Sequence, residues 1–262
     1  MPIDTKVLMQ LRNKTGAPIN DCQLALEESK NDIEKAIEIL RKKGALKVAK
    51  KAERITKEGL IVIKISDNNT HGVMVQMNCE TDFVARNNDF IAFVESLAEK
   101  AQKNIDITKE FEEVKKDLVL KIGENLILGN FKKIEGKYLS SYLHANKKVG
   151  VLVEFNRAID ENFGHDIAMH IAASNPTYVK QEDVPGDVLE KEKEIYREQM
   201  KNEKKPEAVK EKIILGKLQK FYEDACLYSQ KFIKDDNATI KKILDAQSKD
   251  PIEIISFTRF QV

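Results

Sequence analysis

The segment GVMVQMN at residues 72–78 recurs almost residue for residue as GVLVEFN at residues 150–156. In both copies apolar residues alternate or run together over a short stretch, which is typical of a strand with at least one buried face. Each copy is followed by a loop and then by an apolar segment with helical spacing, FIAFVESLAEKA at residues 90–101 and DIAMHIAASNP at residues 166–176. The repeat predicts an α+β fold with two related subdomains, each a small antiparallel sheet with helices on one face.

The first subdomain is predicted to cover residues 59–139. An apolar run at residues 60–65 precedes the first copy of the repeat, and Asn68-Asn69 between them predicts the turn of a β-hairpin. Helical spacing predicts two helices after the loop, at residues 88–103 and 108–121. The second subdomain is predicted to cover residues 140–180 and 229–262, and the segment EIISFTRFQV at residues 253–262 is predicted to complete its sheet.

Residues 181–228 interrupt the second subdomain. Between Val184 and Ala225 charged residues are dense and apolar residues recur only as a narrow stripe, with Pro206 as a break near the middle. A narrow apolar stripe suits a helix pair that packs on itself better than a helix buried in a core. We therefore predict an antiparallel coiled-coil hairpin that protrudes from the second subdomain as an arm.

Residues 1–45 are predicted to form a three-helix bundle. Helix starts are predicted at Asp4, at Asn20 or Asp21, and at Asn31-Asp32, because short polar side chains cap free N–H groups. Gly44 is predicted to end the third helix. About forty residues make a small core, so this bundle should be only marginally stable by itself. A short basic linker, residues 46–58, follows it.

The charge of the chain is nearly balanced. With 44 basic and 43 acidic side chains among 262 residues, the net charge of +1 argues against general nucleic-acid binding. Lys47, Lys50, Lys51 and Arg54 could contact phosphates, but nearby acids and the lack of interleaved aromatic residues favour a solvated helix face.

Cysteine usage and the amino terminus bear on the compartment. Cys22, Cys79 and Cys226 are odd in number and widely spaced, which fits a reducing compartment better than a disulfide scaffold. The first residues lack the pattern of a signal or transit peptide, and no apolar run approaches the length of a membrane span. These features predict a soluble cytoplasmic protein without membrane binding.

Common catalytic and cofactor motifs are missing from the sequence, including GxxxxGK[ST], GxGxxG, HExxH, GxSxG and the EF-hand loop. His165 and His170 are five residues apart, so they do not share a helix face as a metal-binding i,i+4 pair would. Asp82 could act as a base, but no second titratable group stands at a suggestive spacing. We predict no enzymatic activity, no cofactor and no metal site.

The loop after the first repeat copy is unusual, because NCETDFVARN at residues 78–87 places Phe83 and Val84 directly after Asp82. One interpretation is structural, in which Thr81 or Asp82 caps a helical turn and both apolar side chains fold inward. The second copy argues against it, since RAIDEN at residues 157–162 has no Asp-Phe pair. An aromatic residue beside a charge is typical of an interface anchor.

Several motifs together resemble the elongation factor Ts family of bacteria, the nucleotide-exchange factors of elongation factor Tu. They are TDFVARN at residues 81–87, KIGENL at residues 121–126, DIAMHIAASNP at residues 166–176 and FTRF at residues 257–260, besides the long N-terminal segment at residues 11–52. The resemblance covers essentially the whole chain in the family's order. It implies that the N-terminal bundle is ubiquitin-associated-like.

The resemblance also implies the residues that contact Tu. Thr81, Asp82, Phe83 and Val84 match the family's segment that inserts near the magnesium-binding side of Tu. Arg12, Ile19, Asn20, His144, Phe232 and Ile233 match further partner contacts. The sequence departs from the family at Asn20 and Lys234, where methionine is common, and it ends at Val262, where some members continue into a further helix.

The resemblance implies a nucleotide-exchange mechanism in which the chain itself catalyses no chemical step. Phe83 is expected to wedge into Tu and dislocate its magnesium ion, so that GDP leaves, and the factor is expected to stay bound until GTP binds. The chain itself is expected to bind no nucleotide and no cofactor. One alternative is a protein-binding module that uses the ubiquitin-associated-like bundle without exchange activity, and another is an RNA-associated protein that uses residues 47–54.

Overall fold

The computed structural model describes residues 3–201, 203 and 205–262, and the side chains of residues 45–50 lie outside the described part. Near the amino terminus stand α1 (Thr5–Thr15), α2 (Ile19–Ser29) and α3 (Ile33–Lys51). Asp4 caps α1 by accepting from the Lys6 N–H, and Asp32 accepts from the Lys35 N–H at the start of α3. Pro18 rather than Asn20 or Asp21 precedes α2, so the prediction for that cap is wrong.

The first subdomain contains a three-stranded antiparallel sheet, here called sheet A. Its strands, in the spatial order β1-β2-β3, are β1 (Glu58–Ile65), β2 (His71–Cys79) and β3 (Ile127–Glu135). Between β2 and β3 come α4 (Asp82–Ala85), α5 (Asn88–Gln102) and α6 (Ile107–Ile122). The predicted hairpin and both predicted helices are therefore confirmed. Apolar residues of β1 and β2 pack against α5 and α6 and form the first core cluster, which includes Val75, Met77, Phe90 and Phe111.

Helix α3 does not end at Gly44 but continues to Lys51, so the predicted stop is wrong. The glycine has a packing role instead, because a Cβ atom at Gly44 would lie 2.3 Å from Leu120 Cδ1 on α6. Without a side chain at this position, α3 can approach α6 closely. Helix α3 thereby connects the N-terminal helices directly to the first subdomain.

The second subdomain begins with β4 (Tyr138–Leu143), β5 (Val149–Phe155) and α7 (Glu161–Ser174). Two helices follow, α8 (Gly186–Met200) and α9 (Glu207–Ala225), which contact each other as the predicted arm requires. The chain then forms the small hairpin of β6 (Lys231–Phe232) and β7 (Asp235–Thr239), the helix α10 (Ile240–Gln247) and the strand β8 (Ile254–Gln261). Strand β8 pairs with β5, which gives sheet B the order β4-β5-β8 and confirms that the C-terminal segment completes this sheet.

The two copies of the repeat occupy the centre of their sheets and bury equivalent faces. Val73 and Val75 of β2 pack towards the helices of the first subdomain, and Val151 and Val153 of β5 pack towards α7 and α10 in the second core cluster. Met74 and Leu152 point the other way and meet in a third cluster between the sheets. Each sheet is therefore covered by helices on one face and by the other sheet on the opposite face.

Glycine opens each repeat copy because the sheets approach closely there. A Cβ atom at Gly72 would lie 2.9 Å from Leu139 Cδ1 of sheet B, and one at Gly150 would lie 2.8 Å from Ile61 Cγ2 of sheet A. The two positions are equivalent in the repeat, so the sheets contact each other in a pseudo-symmetric way. This packing joins the two subdomains through an apolar layer.

Candidate functional site

The loop between β2 and α5, residues 80–87, presents an aromatic side chain to solvent, and we call it the tip loop. Thr81 caps α4, with its hydroxyl accepting from the Val84 N–H. Phe83 is 83% exposed, whereas Val84 and Ala85 pack against the first core cluster. The interpretation that both apolar side chains fold inward is therefore wrong for Phe83 and correct for Val84. A phenylalanine side chain this exposed contributes almost nothing to the stability of the fold.

Asp82 forms an ion pair with Arg86 one turn later, at 3.0 Å between Oδ2 and the guanidinium. The Arg86 side chain is exposed and that of Asp82 is partly exposed, and a solvent-accessible i,i+4 pair stabilises a helix by only about 0.3–0.5 kcal/mol. The ion pair therefore orients the Asp82 carboxylate only weakly. A better-placed cation could replace Arg86 with little loss of free energy.

The start of the tip loop is held by Glu124, which follows α6. The Glu124 carboxylate accepts from the backbone N–H groups of Glu80 and Thr81, both at 3.0 Å, and from the Thr81 hydroxyl at 2.5 Å. The Cys79 thiol donates to the Thr81 carbonyl at 3.1 Å. Burial, with a smaller contribution from Glu124, raises the pKa of Cys79 to about 12, so this cysteine is a neutral packing residue.

Glu80 and Asn125 connect the tip loop to the segment after α3. The Glu80 carboxylate accepts from the Asn125 N–H at 2.7 Å and forms an ion pair with Arg54 at 3.3 Å, while the Asn125 amide donates to the Arg54 carbonyl at 3.0 Å. Lys51 donates to the Gly123 carbonyl. Arg54 and Lys51 thus have structural partners, and the side chains of Lys47 and Lys50, from the same basic run, lie outside the described residues.

The role of Glu124 and Asn125 could not be predicted from spacing, because they lie more than forty residues from Glu80 and Thr81, which they bind. In the sequence, these two residues stand out only as part of the motif KIGENL at residues 121–126. The family resemblance includes this motif but implies no role for it. In the structure this motif ends α6 and supplies the hydrogen bonds that hold the tip loop.

The N-terminal candidates lie on the exposed surface of α1 and α2. Arg12, Ile19 and Asn20 are all exposed. Next to them, a Cβ atom at Gly16 would lie 3.6 Å from the Lys121 side chain, and Lys121 pairs with Asp89 at 2.8 Å in the first turn of α5. The turn after α1 and the helix after the tip loop therefore share Lys121.

The candidates of the second subdomain differ in accessibility. His144 is exposed in the turn between β4 and β5, with its ring nitrogen 3.0 Å from Asn146 Oδ1. Ile233 is 41% exposed, but Phe232 is only 8% exposed within the second core cluster. Phe232 therefore packs in the core next to the exposed Ile233, and its contact with a partner stays a prediction. Lys234 pairs with Asp166 at 2.6 Å.

His170 is the buried neighbour of this segment. Its Nε2 lies 3.0 Å from Gln230 Oε1, and its Nδ1 accepts from the Ile233 N–H at 3.3 Å, an arrangement that requires the neutral ring with its proton on Nε2. Burial lowers the pKa of His170 below its usual value of 6.5. His165, by contrast, is exposed and lies against the Ser141 carbonyl. Within the described ranges, no group of three His, Cys, Asp or Glu side chains could hold a metal ion.

A pH effect on stability follows from His170. Its pKa is lower in the folded protein than in the unfolded chain, so the unfolded chain binds more protons as the pH falls below 6.5, and stability is lost there. The loss has an upper limit of about 1.4 kcal/mol per pH unit. Urea unfolding at pH 7.5 and 5.5 should show a smaller pH effect for His170→Gln than for the wild type. An equal pH effect in both would show that His170 does not cause it.

The chain is similar to known proteins of one family. A family model described as elongation factor TS matches residues 80–262. Proteins named elongation factor Ts are similar over nearly the full chain: one from Clostridium botulinum (strain Alaska E43 / Type E3) is 40% identical, with 98% of this chain and 91% of that protein covered. One from Halothermothrix orenii is 39% identical, covering 100% and 93%. One from Nitratiruptor sp. is 41% identical, again covering 100% and 93%.

The matched family model and these relatives show that the chain belongs to the elongation factor Ts family. It is a translation elongation factor of the nucleotide-exchange type. In the part of the chain that the structure describes, no helix is both long and apolar enough to cross a membrane.

Proposed function

We propose that the chain binds elongation factor Tu in its GDP-bound and nucleotide-free forms and promotes GDP release by inserting Phe83 into it. The exposure of Phe83 on a loop held by hydrogen bonds carries this proposal. The factor stays bound until GTP binds. Nucleotide and magnesium bind to Tu alone, and the chain binds no nucleic acid and no membrane. It acts in the cytoplasm, where translation takes place.

The energetics of exchange require only differential binding. A factor that binds nucleotide-free Tu more tightly than Tu–GDP lowers the affinity for GDP by the same ratio. Each tenfold change needs about 1.4 kcal/mol, and burial of one phenylalanine side chain supplies roughly 1.5–3 kcal/mol. Burial of Phe83 in a space that opens only when GDP leaves would therefore account for a tenfold effect or more.

Asp82 has a supporting role in the proposal. Because its ion pair with Arg86 is exposed and weak, a donor from Tu can take the place of Arg86 when Phe83 enters. Displacement of a Tu helix by Phe83 then disturbs the ligands of the magnesium ion, whose octahedral geometry tolerates little distortion. Thr81 and Val84 complete this segment by capping α4 and by fixing it to the core.

Further contacts to Tu are proposed at the exposed residues Arg12, Ile19, Asn20, His144 and Ile233, with Phe232 acting through Ile233. The N-terminal helices act together with the core rather than as a separate binding module. Packing of α3 against α6 supports this view, because Gly44 allows close contact with Leu120.

The test is a stopped-flow measurement of fluorescent GDP release from purified Tu with magnesium present. Addition of the full-length chain should accelerate release in proportion to its concentration until it saturates, and excess GTP should displace the chain from Tu. Binding to Tu without any acceleration would support a binding module and contradict the exchange function.

A further inference from the structure

We propose that Glu124 is a positioning residue for nucleotide exchange, which holds the backbone at Glu80 and Thr81 so that Phe83 is presented ready for insertion. This inference rests on the proposed function of Phe83. Glu124 itself is half-buried and directed into the chain rather than towards a partner.

The geometry shows why a carboxylate is needed at this point. Strand β2 ends at Cys79, so the next N–H groups, those of Glu80 and Thr81, have no partner in sheet A. The Glu124 carboxylate accepts both at 3.0 Å. Hydrogen bonds to an ionised acceptor are stronger than neutral ones, and one carboxylate can accept from several donors. A single side chain therefore fixes the direction in which the chain leaves the sheet.

Thr81 is held at each of its polar groups. Its N–H and hydroxyl donate to Glu124, its carbonyl accepts from the Cys79 thiol and from the Ala85 N–H, and its hydroxyl accepts from the Val84 N–H. Phe83 follows two residues later inside α4, so its position is set by Thr81. The aromatic ring then has only its own side-chain torsions left to order when it is buried.

Preorganisation of this kind reduces the conformational entropy that is lost on binding. In a loop that samples many conformations, the free energy of ordering the backbone would offset part of the free energy gained by burying Phe83. Glu124 is itself well supported, because the neighbouring Asn125 N–H is bonded to Glu80 and the Asn125 amide to Arg54. Glu124 and Asn125 therefore form one hydrogen-bonded unit with the start of the tip loop at the end of sheet A.

The second repeat copy anchors its loop differently. Asn156 at the end of β5 accepts from the Glu253 N–H at 3.0 Å and donates to the Pro251 carbonyl at 3.1 Å, so its loop is fixed by a neutral amide to the segment before β8. That loop carries no exposed aromatic residue. The carboxylate anchor therefore accompanies the copy that presents Phe83.

The experiment compares Glu124→Ala, Glu124→Gln, Phe83→Ala and the double variant Glu124→Ala/Phe83→Ala in the full chain. Hydrogen exchange of the Glu80 and Thr81 amides, followed by NMR in the free protein, tests the anchor without Tu. Stopped-flow GDP release from Tu tests its consequence. Glu99→Ala, which removes an exposed ion-pair partner of Lys64 in the same subdomain, is the matched control.

We expect Glu124→Ala to lose protection at these two amides and to lower the acceleration of GDP release about tenfold. Glu124→Gln keeps one carbonyl acceptor and should restore part of both, and it also serves if Glu124→Ala fails to fold. Glu99→Ala should change neither. The double variant should be no slower than Phe83→Ala alone, because Glu124 acts through Phe83.

Two results would overturn the inference. Unchanged amide protection and unchanged exchange in Glu124→Ala and Glu124→Gln would show that the anchor is dispensable. Additive losses in the double variant would show that Glu124 acts on Tu independently of Phe83. If Phe83→Ala exchanged GDP like the wild type, the proposed function of Phe83 would fail instead, whatever the amide exchange at Glu80 and Thr81 showed.

Discussion

Phe83→Ala should lower the acceleration of GDP release from elongation factor Tu by roughly tenfold to a hundredfold. The range follows from the roughly 1.5–3 kcal/mol that burial of a phenylalanine side chain supplies and from about 1.4 kcal/mol per tenfold change. Because the ring is 83% exposed in the free protein, the substitution should change the free energy of unfolding by no more than about 0.5 kcal/mol. Stopped-flow release of fluorescent GDP and urea unfolding measure the two effects separately.

Phe131→Ala is a matched control for this measurement. Phe131 lies on β3 of the same subdomain and is 43% exposed, so the control removes an accessible aromatic ring without altering the tip loop. It should leave GDP release unchanged. Phe83→Leu should fall between Phe83→Ala and the wild type, because it retains part of the apolar surface. Wild-type exchange by a folded Phe83→Ala protein would rule out insertion of the ring as the cause of release.

Gly59→Ala should destabilise the fold by about 3 kcal/mol or more. Gly59 pairs with Asn78 near the start of β1, and its φ of +152° is a conformation that residues with a side chain rarely adopt. An added Cβ would lie 2.2 Å from the Met77 carbonyl oxygen, which is backbone and cannot rotate away. Backbone strain and overpacking each cost roughly 1–3 kcal/mol. Urea unfolding at neutral pH measures the combined loss.

The control for this glycine is Gly216→Ala in the interior of α9. No described atom would lie within 4 Å of a Cβ at Gly216, so the alanine has room and improves the helix propensity by about 0.5–1 kcal/mol. The two substitutions are chemically identical and should act in opposite directions. Equal stability of Gly59→Ala and the wild type would mean that β1 and β2 separate at this position without loss.

The repeat made much of the fold predictable, because strands with buried faces show their periodicity locally. The hairpin of β1 and β2, the helices after it and the closing role of β8 all follow from such patterns. Strand β3 was not predicted, since ILGNFKKIE is mostly exposed at the edge of sheet A and has little alternation. The continuation of α3 past Gly44 was missed because its cause, contact with Leu120, is distant in sequence.

The candidate site was predictable only in part. Comparison of the two repeat copies indicated that Phe83 faces outward, because a residue needed only for the shared fold would be expected in both. Hydrogen bonds that backbone N–H groups donate to a carboxylate leave no periodic signal in the sequence, so only the structure shows the role of Glu124. The burial of Phe232 could not be predicted either, since sequence similarity does not distinguish a buried ring from an exposed one.

The glycine contacts between sheets A and B have a consequence for multivalent binding. Gly72 and Gly150 let the two sheets pack closely, so Phe83 and Ile233 are carried by two subdomains that share one apolar layer. If both contact elongation factor Tu as proposed, binding of one holds the other at a high effective concentration near its own contact. Two weak contacts can then act with the strength of one strong contact, and each can still be released separately.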